Sequence, residues 1–220
     1  MSGWPGWKKV RQVSRRKRKA KKHWRRDQRN DPYFQQAKAD GYRARSAYKL
    51  IQIDKKFKIL RRGQSILDLG AAPGSWSQVA VKRVGRAGQV VAVDVQAMAP
   101  IPGVVLVQGD MTAPEVQAQA IAAAGGPVDV VLCDAAPNTS GIALRDHALS
   151  IELVYAAFDM ARRALKPGGH FVTKVFAGED MPQLLIDLRR HFGAVKPFYP
   201  EATRREGKEI FVVCREFKPE

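Results

Sequence analysis

Cysteine, histidine and long apolar runs are all scarce in this chain of 220 residues, and each shortage removes a class of protein. Two cysteines, Cys133 and Cys214, are too few for a disulfide framework or a four-ligand zinc site. Both fall in apolar, β-branched runs, which predicts buried free thiols and fits a reducing compartment. The four histidines, His23, His147, His170 and His191, show no metal-ligand spacing, so no metal is expected. No apolar stretch reaches the ~18 residues of a membrane span, and the N-terminus lacks the apolar core of a secretory signal. It is Arg-rich and acid-poor, as a transit peptide is, yet Lys-heavy, poor in serine and without an apolar face. No membrane partner and a cytoplasmic location are expected.

Acidic residues are also missing, but only locally. Residues 1–30 hold 13 Lys and Arg against one acid, a net +12, whereas residues 31–220 hold 25 against 20, a net +5. Most of the formal +17 therefore sits in a seventh of the chain. With so few apolar groups, residues 1–30 cannot offset the entropy of ordering and read as a disordered basic arm. The arm can turn helical when its charges are neutralised. Trp4, Trp7 and Trp24 are unusual there; stacking on bases and docking on the domain both account for them.

Residues 31–220 read as one domain. Tyr48, Ile51 and Phe57 recur at roughly helical spacing and predict a helix over 42–57, closed by Gly63. Beyond it, short β-branched runs at 65–69, 89–95, 104–107, 128–133, 171–176 and 210–214 alternate with helix-like stretches at 75–84, 114–124, 147–165 and 181–192. Pro167-Gly168-Gly169 is expected to stop the third of these. Strands separated by helix-length segments imply right-handed crossovers and a mostly parallel sheet covered on both faces. The fold class is a doubly wound, Rossmann-like α/β domain.

In such sheets ligands bind beyond the carboxyl ends of the strands. Asp68 with the loop Gly70-Ala71-Ala72-Pro73-Gly74, then Asp94, Asp110 and Asp134, all fall at predicted strand ends. Asp94, 20 residues after Gly74, is placed to accept both hydroxyls of a ribose, and Asp110 to accept from an adenine amino group. The loop is not G-x-G-x-x-G, and Pro73 removes an N–H donor that a pyrophosphate would use. An adenosine cofactor without phosphates is indicated, and S-adenosylmethionine fits.

The run Asp68-Leu69-Gly70-Ala71-Ala72-Pro73-Gly74-Ser75-Trp76-Ser77-Gln78 resembles the FtsJ/RrmJ-type RNA ribose 2′-O-methyltransferases. The resemblance continues, in family order, through Arg43-Ala44-Arg45-Ser46-Ala47-Tyr48-Lys49-Leu50, Asp94, Gln108-Gly109-Asp110, Asp134-Ala135-Ala136-Pro137-Asn138, Lys174-Val175-Phe176 and Glu209-Ile210-Phe211. It covers about residues 31–217 and makes residues 31–220 a methyltransferase domain. It implies a Lys-Asp-Lys-Glu catalytic set on Lys49, Asp134, Lys174 and Glu209. It also implies cofactor contacts at Gly74, Trp76, Asp94, Asp110 and Asp134. The subgroup it most resembles methylates a uridine ribose in large-subunit rRNA, which implies that RNA within an assembling ribosomal subunit as partner and a monomeric enzyme.

The chemistry agrees with that assignment. A ribose hydroxyl must lose its proton as it attacks the methyl group, and a lysine can take that proton only when neutral. A free lysine titrates near ~10.4, whereas a useful base lies near ~7–8. Desolvation of a strand lysine such as Lys174, with Lys49 as a second cation, pushes toward the neutral form. Asp134 opposes that shift, so its expected task is orientation; Glu209 can accept from a lysine or from the ribose.

Ribose methylation of tRNA or of an mRNA cap uses the same chemistry and stays open, as does a non-catalytic ribosome-assembly factor on the same fold. An NAD-dependent oxidoreductase is disfavoured by Pro73. Cys133 precedes Asp134 inside an apolar run and is expected to face the core rather than to act as a pyrimidine nucleophile.

The arm is expected to add electrostatic affinity for RNA; the competing reading is a targeting or solubility tail. Each phosphate contact contributes a slope of about −0.7 to −0.9 to log K against log salt. Deleting residues 1–30 should therefore flatten the salt dependence of RNA binding, measured by fluorescence anisotropy; an unchanged slope would show that the arm touches no phosphates.

Overall fold

The computed structural model describes residues 31–137, 140–204 and 209–219. The predicted arm, residues 1–30, and Asn138 lie outside the described residues. The first element is a helix that apolar periodicity does not foresee, α1 (Pro32–Ala39). Asp31 starts it: Oδ1 accepts the N–H groups of Tyr33 and Phe34 at 3.1 and 3.3 Å. Pro32 occupies the first turn, where its missing N–H costs nothing. The other carboxylate oxygen of Asp31 pairs with Arg45, which ties the helix start to the segment leading into α2.

That second helix, α2 (Ala47–Phe57), is shorter than its pattern suggested. It ends at Lys58, a left-handed residue (φ 55°) whose N–H bonds the Asp54 carbonyl at 2.8 Å, five positions before Gly63. Ala47, Leu50 and Ile53 bury one face.

The alternating region follows as β1 (Ser65–Leu69), α3 (Ser75–Val84), β2 (Gln89–Asp94), β3 (Val104–Gln108), α4 (Pro114–Ala123), β4 (Val128–Cys133), α5 (Ala143–Ala164), β5 (Leu165–Phe176), α6 (Met181–His191), β6 (Phe192–Phe198) and β7 (Glu209–Phe217). The sheet order is β3-β2-β1-β4-β5-β7-β6. Strands β1 to β5 pair in parallel. β7 runs antiparallel to both neighbours, β5 and β6. This is the expected doubly wound α/β sheet. From β1 the chain winds outward through β2 and β3, then returns to β4 on the other side, so the switch in strand order lies between β1 and β4.

Two departures from the sequence reading share a cause, backbone pairing that overrides turn residues. Pro167-Gly168-Gly169 does not stop α5, which ends at Ala164 as Leu165 becomes extended. Leu165 pairs with Val128 and the next pair is Val130 with His170, so the Pro-Gly-Gly segment bulges out of a strand that starts six residues earlier than expected. Residues 192–198 form β6 despite Gly193 and Pro197. The strand sits at the sheet edge, where a proline without an N–H is tolerated.

The central strands are buried on both faces, which is why they read as continuous apolar runs. One face joins Leu67, Leu69, Val91, Val131 and Phe171 to α4, α5 and α6. The other joins Ile66, Val90, Leu132, Val172 and Phe211 to α2 and α3. Cys133 and Cys214 are free and buried. Burial pushes the Cys133 thiol up to about 11, so it packs as a small apolar group and is no nucleophile at neutral pH.

Because Asp31 both caps α1 and pairs with Arg45, Asp31→Ala should cost about 1–2 kcal/mol of stability. Urea unfolding followed by circular dichroism measures it, and a loss below the error of the fit would show that α1 does not depend on this cap.

Candidate active site

The strand ends at the switch point enclose a cleft of about 360 Å³. Asp94, Asp110 and Asp134 line it together with Gly70, Ala72, Gln96 and Gly109, and its apolar walls are Val93, Val95, Met111 and Leu153. Asp94 is held rigidly: Oδ2 accepts the Ala72 N–H and Oδ1 the Gln96 N–H, both at 2.8 Å. Each carboxylate oxygen keeps a further lone-pair site for a ligand hydroxyl. Asp110 accepts from the N–H and hydroxyl of Thr112, both at 2.8 Å, and remains exposed. Gly70 must be glycine, with φ +65° and space for no Cβ, since one would lie 2.5 Å from the Ala135 Cβ.

Three carboxylates and no lysine or arginine line this cleft. Such a lining repels a pyrophosphate and attracts a positively charged group. The residues present therefore fit an adenosine-bearing cation such as S-adenosylmethionine, with Asp94 toward the ribose, and do not fit NAD.

The fourth strand-end acid, Asp68, is elsewhere. It is fully buried on the face that carries Ile66, and its Oδ2 accepts the Ser77 hydroxyl at 2.5 Å. Its Oδ1 has no hydrogen-bond partner among the described residues. Burial pushes the carboxyl up to about 7; the Ser77 hydroxyl works against that, and the Asp134 and Asp94 charges add to it. Gly74 and Trp76 do not line the cleft either. Gly74 (φ 103°) precedes α3, against Ile101 and Arg43. The Trp76 ring is buried 5.6 Å from the Phe211 ring, and its Nε1 donates to the Ser46 carbonyl at 2.9 Å.

The two lysines form two short pairs. Lys174 Nζ donates to the Asp134 carbonyl at 2.6 Å and to Asp134 Oδ1 at 3.0 Å. Lys49 Nζ donates to Glu209 Oε1 at 2.6 Å. Both lysines are 8% exposed, so each needs its carboxylate. The register of β5 on β7 sets Lys174 opposite Phe211 and Phe176 opposite Glu209. Residues two apart share a face, and Lys174 and Glu209 therefore project on the same side. The Phe211 ring lies 5.5 Å from Lys49 Nζ and rests on Trp76, so it forms the floor beneath this group. Asp134 belongs to both sets, lining the cleft and holding Lys174. Among the described residues no three His, Cys, Asp or Glu side chains gather as a metal centre.

Residues 42–217 match the family described as FtsJ-like methyltransferase. The chain belongs to this FtsJ-like family. It is 45% identical over 98% of its length, and 97% of the relative's, to a Zymomonas mobilis protein named ribosomal RNA large subunit methyltransferase E. A Methanothrix thermoacetophila protein of the same name is 51% identical over 86% of this chain and 72% of its own. In structure, the chain resembles a ribosomal RNA methyltransferase from Plasmodium falciparum, with a TM-score of 0.74 and 30% identity over 81% of this chain and all of that one.

Some site residues escape pattern reading. Leu153 lies off the apolar stripe of α5 and lines the cleft instead. Arg43 clamps the loops: Nη1 donates to the carbonyls of Pro73 at 3.0 Å and Ala99 at 2.8 Å, and Nη2 to that of Pro100 at 2.8 Å. An arginine beside a proline loop signals no such task in one dimension.

Asp68 titrates near ~3.9 when unfolded and about 7 when folded. Between these values the folded chain holds the extra proton. The stabilisation is full below pH ~4 and is lost as pH rises through 7, by at most about 1.4 kcal/mol per pH unit. The stability of the native chain relative to Asp68→Asn should therefore fall from pH 4 to pH 8 in urea titrations; a constant difference would refute a protonated Asp68.

Proposed function

We propose that the chain is an S-adenosylmethionine-dependent methyltransferase of large-subunit ribosomal RNA, acting on a ribose 2′-hydroxyl, with a uridine as the target. The observation that carries the chemistry is the buried Lys174, fixed by Asp134 at the mouth of an acid-lined adenosine cleft. Family membership and the names of the relatives support the rRNA substrate. In this reading Asp94 accepts from the cofactor ribose, Asp110 from the adenine edge, and Val95, Met111 and Leu153 enclose the ring. Gly74 and Trp76 serve the same cofactor indirectly. Gly74 turns the loop into α3, and Trp76 supports Phe211 from below.

Bound S-adenosylmethionine supplies an electrophilic methyl group. Lys174 takes the proton of the 2′-hydroxyl as the oxygen attacks. Asp134 aims the Lys174 side chain from two directions, through its carbonyl and its carboxylate. Lys49 exerts little net field on Lys174, because Glu209 sits 2.6 Å from its charge; this pair instead offers the RNA one donor and one acceptor at a fixed place. Proximity and in-line geometry supply much of the remaining rate.

The partner is large-subunit rRNA in an assembling particle, the enzyme works as a monomer in the cytoplasm, and no metal takes part. Lys174→Ala should lower methyl transfer by about 10²–10⁴-fold with cofactor affinity within a few-fold of native. Radiolabelled transfer and calorimetry measure the two quantities, and undiminished transfer would remove Lys174 as the base. Mass-spectrometric mapping of ribose methylation with and without the protein tests the target; loss confined to tRNA would overturn the rRNA reading.

A further inference from the structure

The opposite end of the sheet carries a second cleft, of about 640 Å³. Lys56, Lys58, Arg61, Lys166 and Arg215 line it, against Asp129 and Glu216. That is a net +3 in one cavity of a region whose whole net charge is +5. Asp129 offsets Lys166, at 3.0 and 3.1 Å. No carboxylate pairs with Lys58, Arg61 or Arg215 among the described residues.

Lys56 and Lys58 stand at the end of α2, Arg61 on the segment between α2 and β1, Lys166 beside the β5 bulge and Arg215 near the end of β7. His170, in the same wall, has its Nδ1 buried without a hydrogen-bond partner among the described residues. Burial holds its imidazole below the ordinary histidine range; the Gly169 backbone works against this, and the Arg61 and Arg215 charges add to it. Among the described residues, none of the large exposed apolar side chains lines this cleft. Lys56 covers the aromatic surface nearby, 4.7 Å from the Phe198 ring and 5.8 Å from that of Phe57. The surface therefore fits a multivalent anion, not an apolar protein partner.

We propose that this cleft is a second RNA-backbone site, which holds phosphates of the RNA whose ribose is methylated at the far edge. The inference rests on the RNA methyltransferase reading. An RNA that offers a hydroxyl to the acid-lined edge brings phosphates that this edge repels, and the domain supplies cations for them across the sheet. The separation is the length of β1, about 16 Å at ~3.3 Å per residue, which a folded RNA spans by wrapping one side of the domain. Phosphate recognition here is electrostatic and carries no sequence information.

The test is the double variant Lys58→Glu/Arg61→Glu in the full chain, with Lys58→Gln/Arg61→Gln as a neutral control. For two lost phosphate contacts, the slope of log K against log salt for an rRNA fragment should flatten by about 1.4–1.8. The KM for RNA should rise about tenfold or more for the charge reversal and less for the neutral pair. The kcat at saturating RNA, cofactor affinity and thermal midpoint should stay at native values. Unchanged slope and KM in a folded, active variant would overturn the site. So would binding of inorganic pyrophosphate that depends on Lys58 and Arg61 while RNA binding does not, because the cleft would then serve a free anion. The native enzyme assayed alongside separates the two readings: absence of its own transfer to RNA refutes the function, whereas transfer with no effect of the substitutions refutes only this cleft.

Discussion

A buried lysine on the fifth strand sets much of the geometry around it. Lys174 lies among the fully buried Val172, Thr173 and Val175 of its strand, and a charge so placed must be satisfied or it destabilises the fold by several kcal/mol. It is satisfied by both the main chain and the side chain of Asp134. That choice fixes how the chain leaves β4, and so where Ala135 stands. Ala135 in turn faces Gly70 with no room for another methyl group, and the floor between β1 and β4 is closed to one shape. The wall of the acid-lined cleft is thus a by-product of satisfying one lysine.

Charge is divided along the strands. The carboxyl ends carry Asp94 and Asp110 without a cation, the Lys174–Asp134 and Lys49–Glu209 pairs lie beside them near neutrality, and the amino ends gather cations. A modest net charge conceals this separation. In the proposed reaction substrate and cofactor differ in sign, RNA being a polyanion and S-adenosylmethionine a cation, and a single sheet suits both by presenting opposite fields at the two ends of its strands. It is this arrangement within residues 31–220 that gives an approaching polyanion a direction.

Much of this was legible in one dimension. The alternation of β-branched runs with helical stripes gave the doubly wound sheet, because parallel strands buried on both faces must be continuously apolar. The acids at the run ends marked the cleft, and the resemblance named the four residues that here form two pairs. What escaped has physical reasons. The helix at Pro32 rests on a single cap rather than on periodicity. The strand at 192–198 carries a glycine and a proline that only an edge position tolerates. Asp68 looked like its neighbours at strand ends but sits one residue inside the end of β1, where Ser77 of α3 covers it, whereas Asp94 ends β2 and Asp134 follows the last residue of β4; pattern reading does not show which acid a helix start will cover. Trp76 and Gly74 sit one layer behind the cleft, and sequence distance cannot tell a lining residue from the one that supports it.

The antiparallel β7 also bears on how the molecule assembles itself. β6 precedes it in the chain but lies outside it in the sheet, so the edge strand has nothing to pair with until the last strand is in place. The same insertion brings Glu209 to Lys49 across 160 positions of sequence. Contacts of such separation form late and slowly. The residues of the acid-lined cleft all come from β1 to β4, the loops that follow them and α5, earlier in the chain, whereas the Lys49–Glu209 pair waits on this last strand.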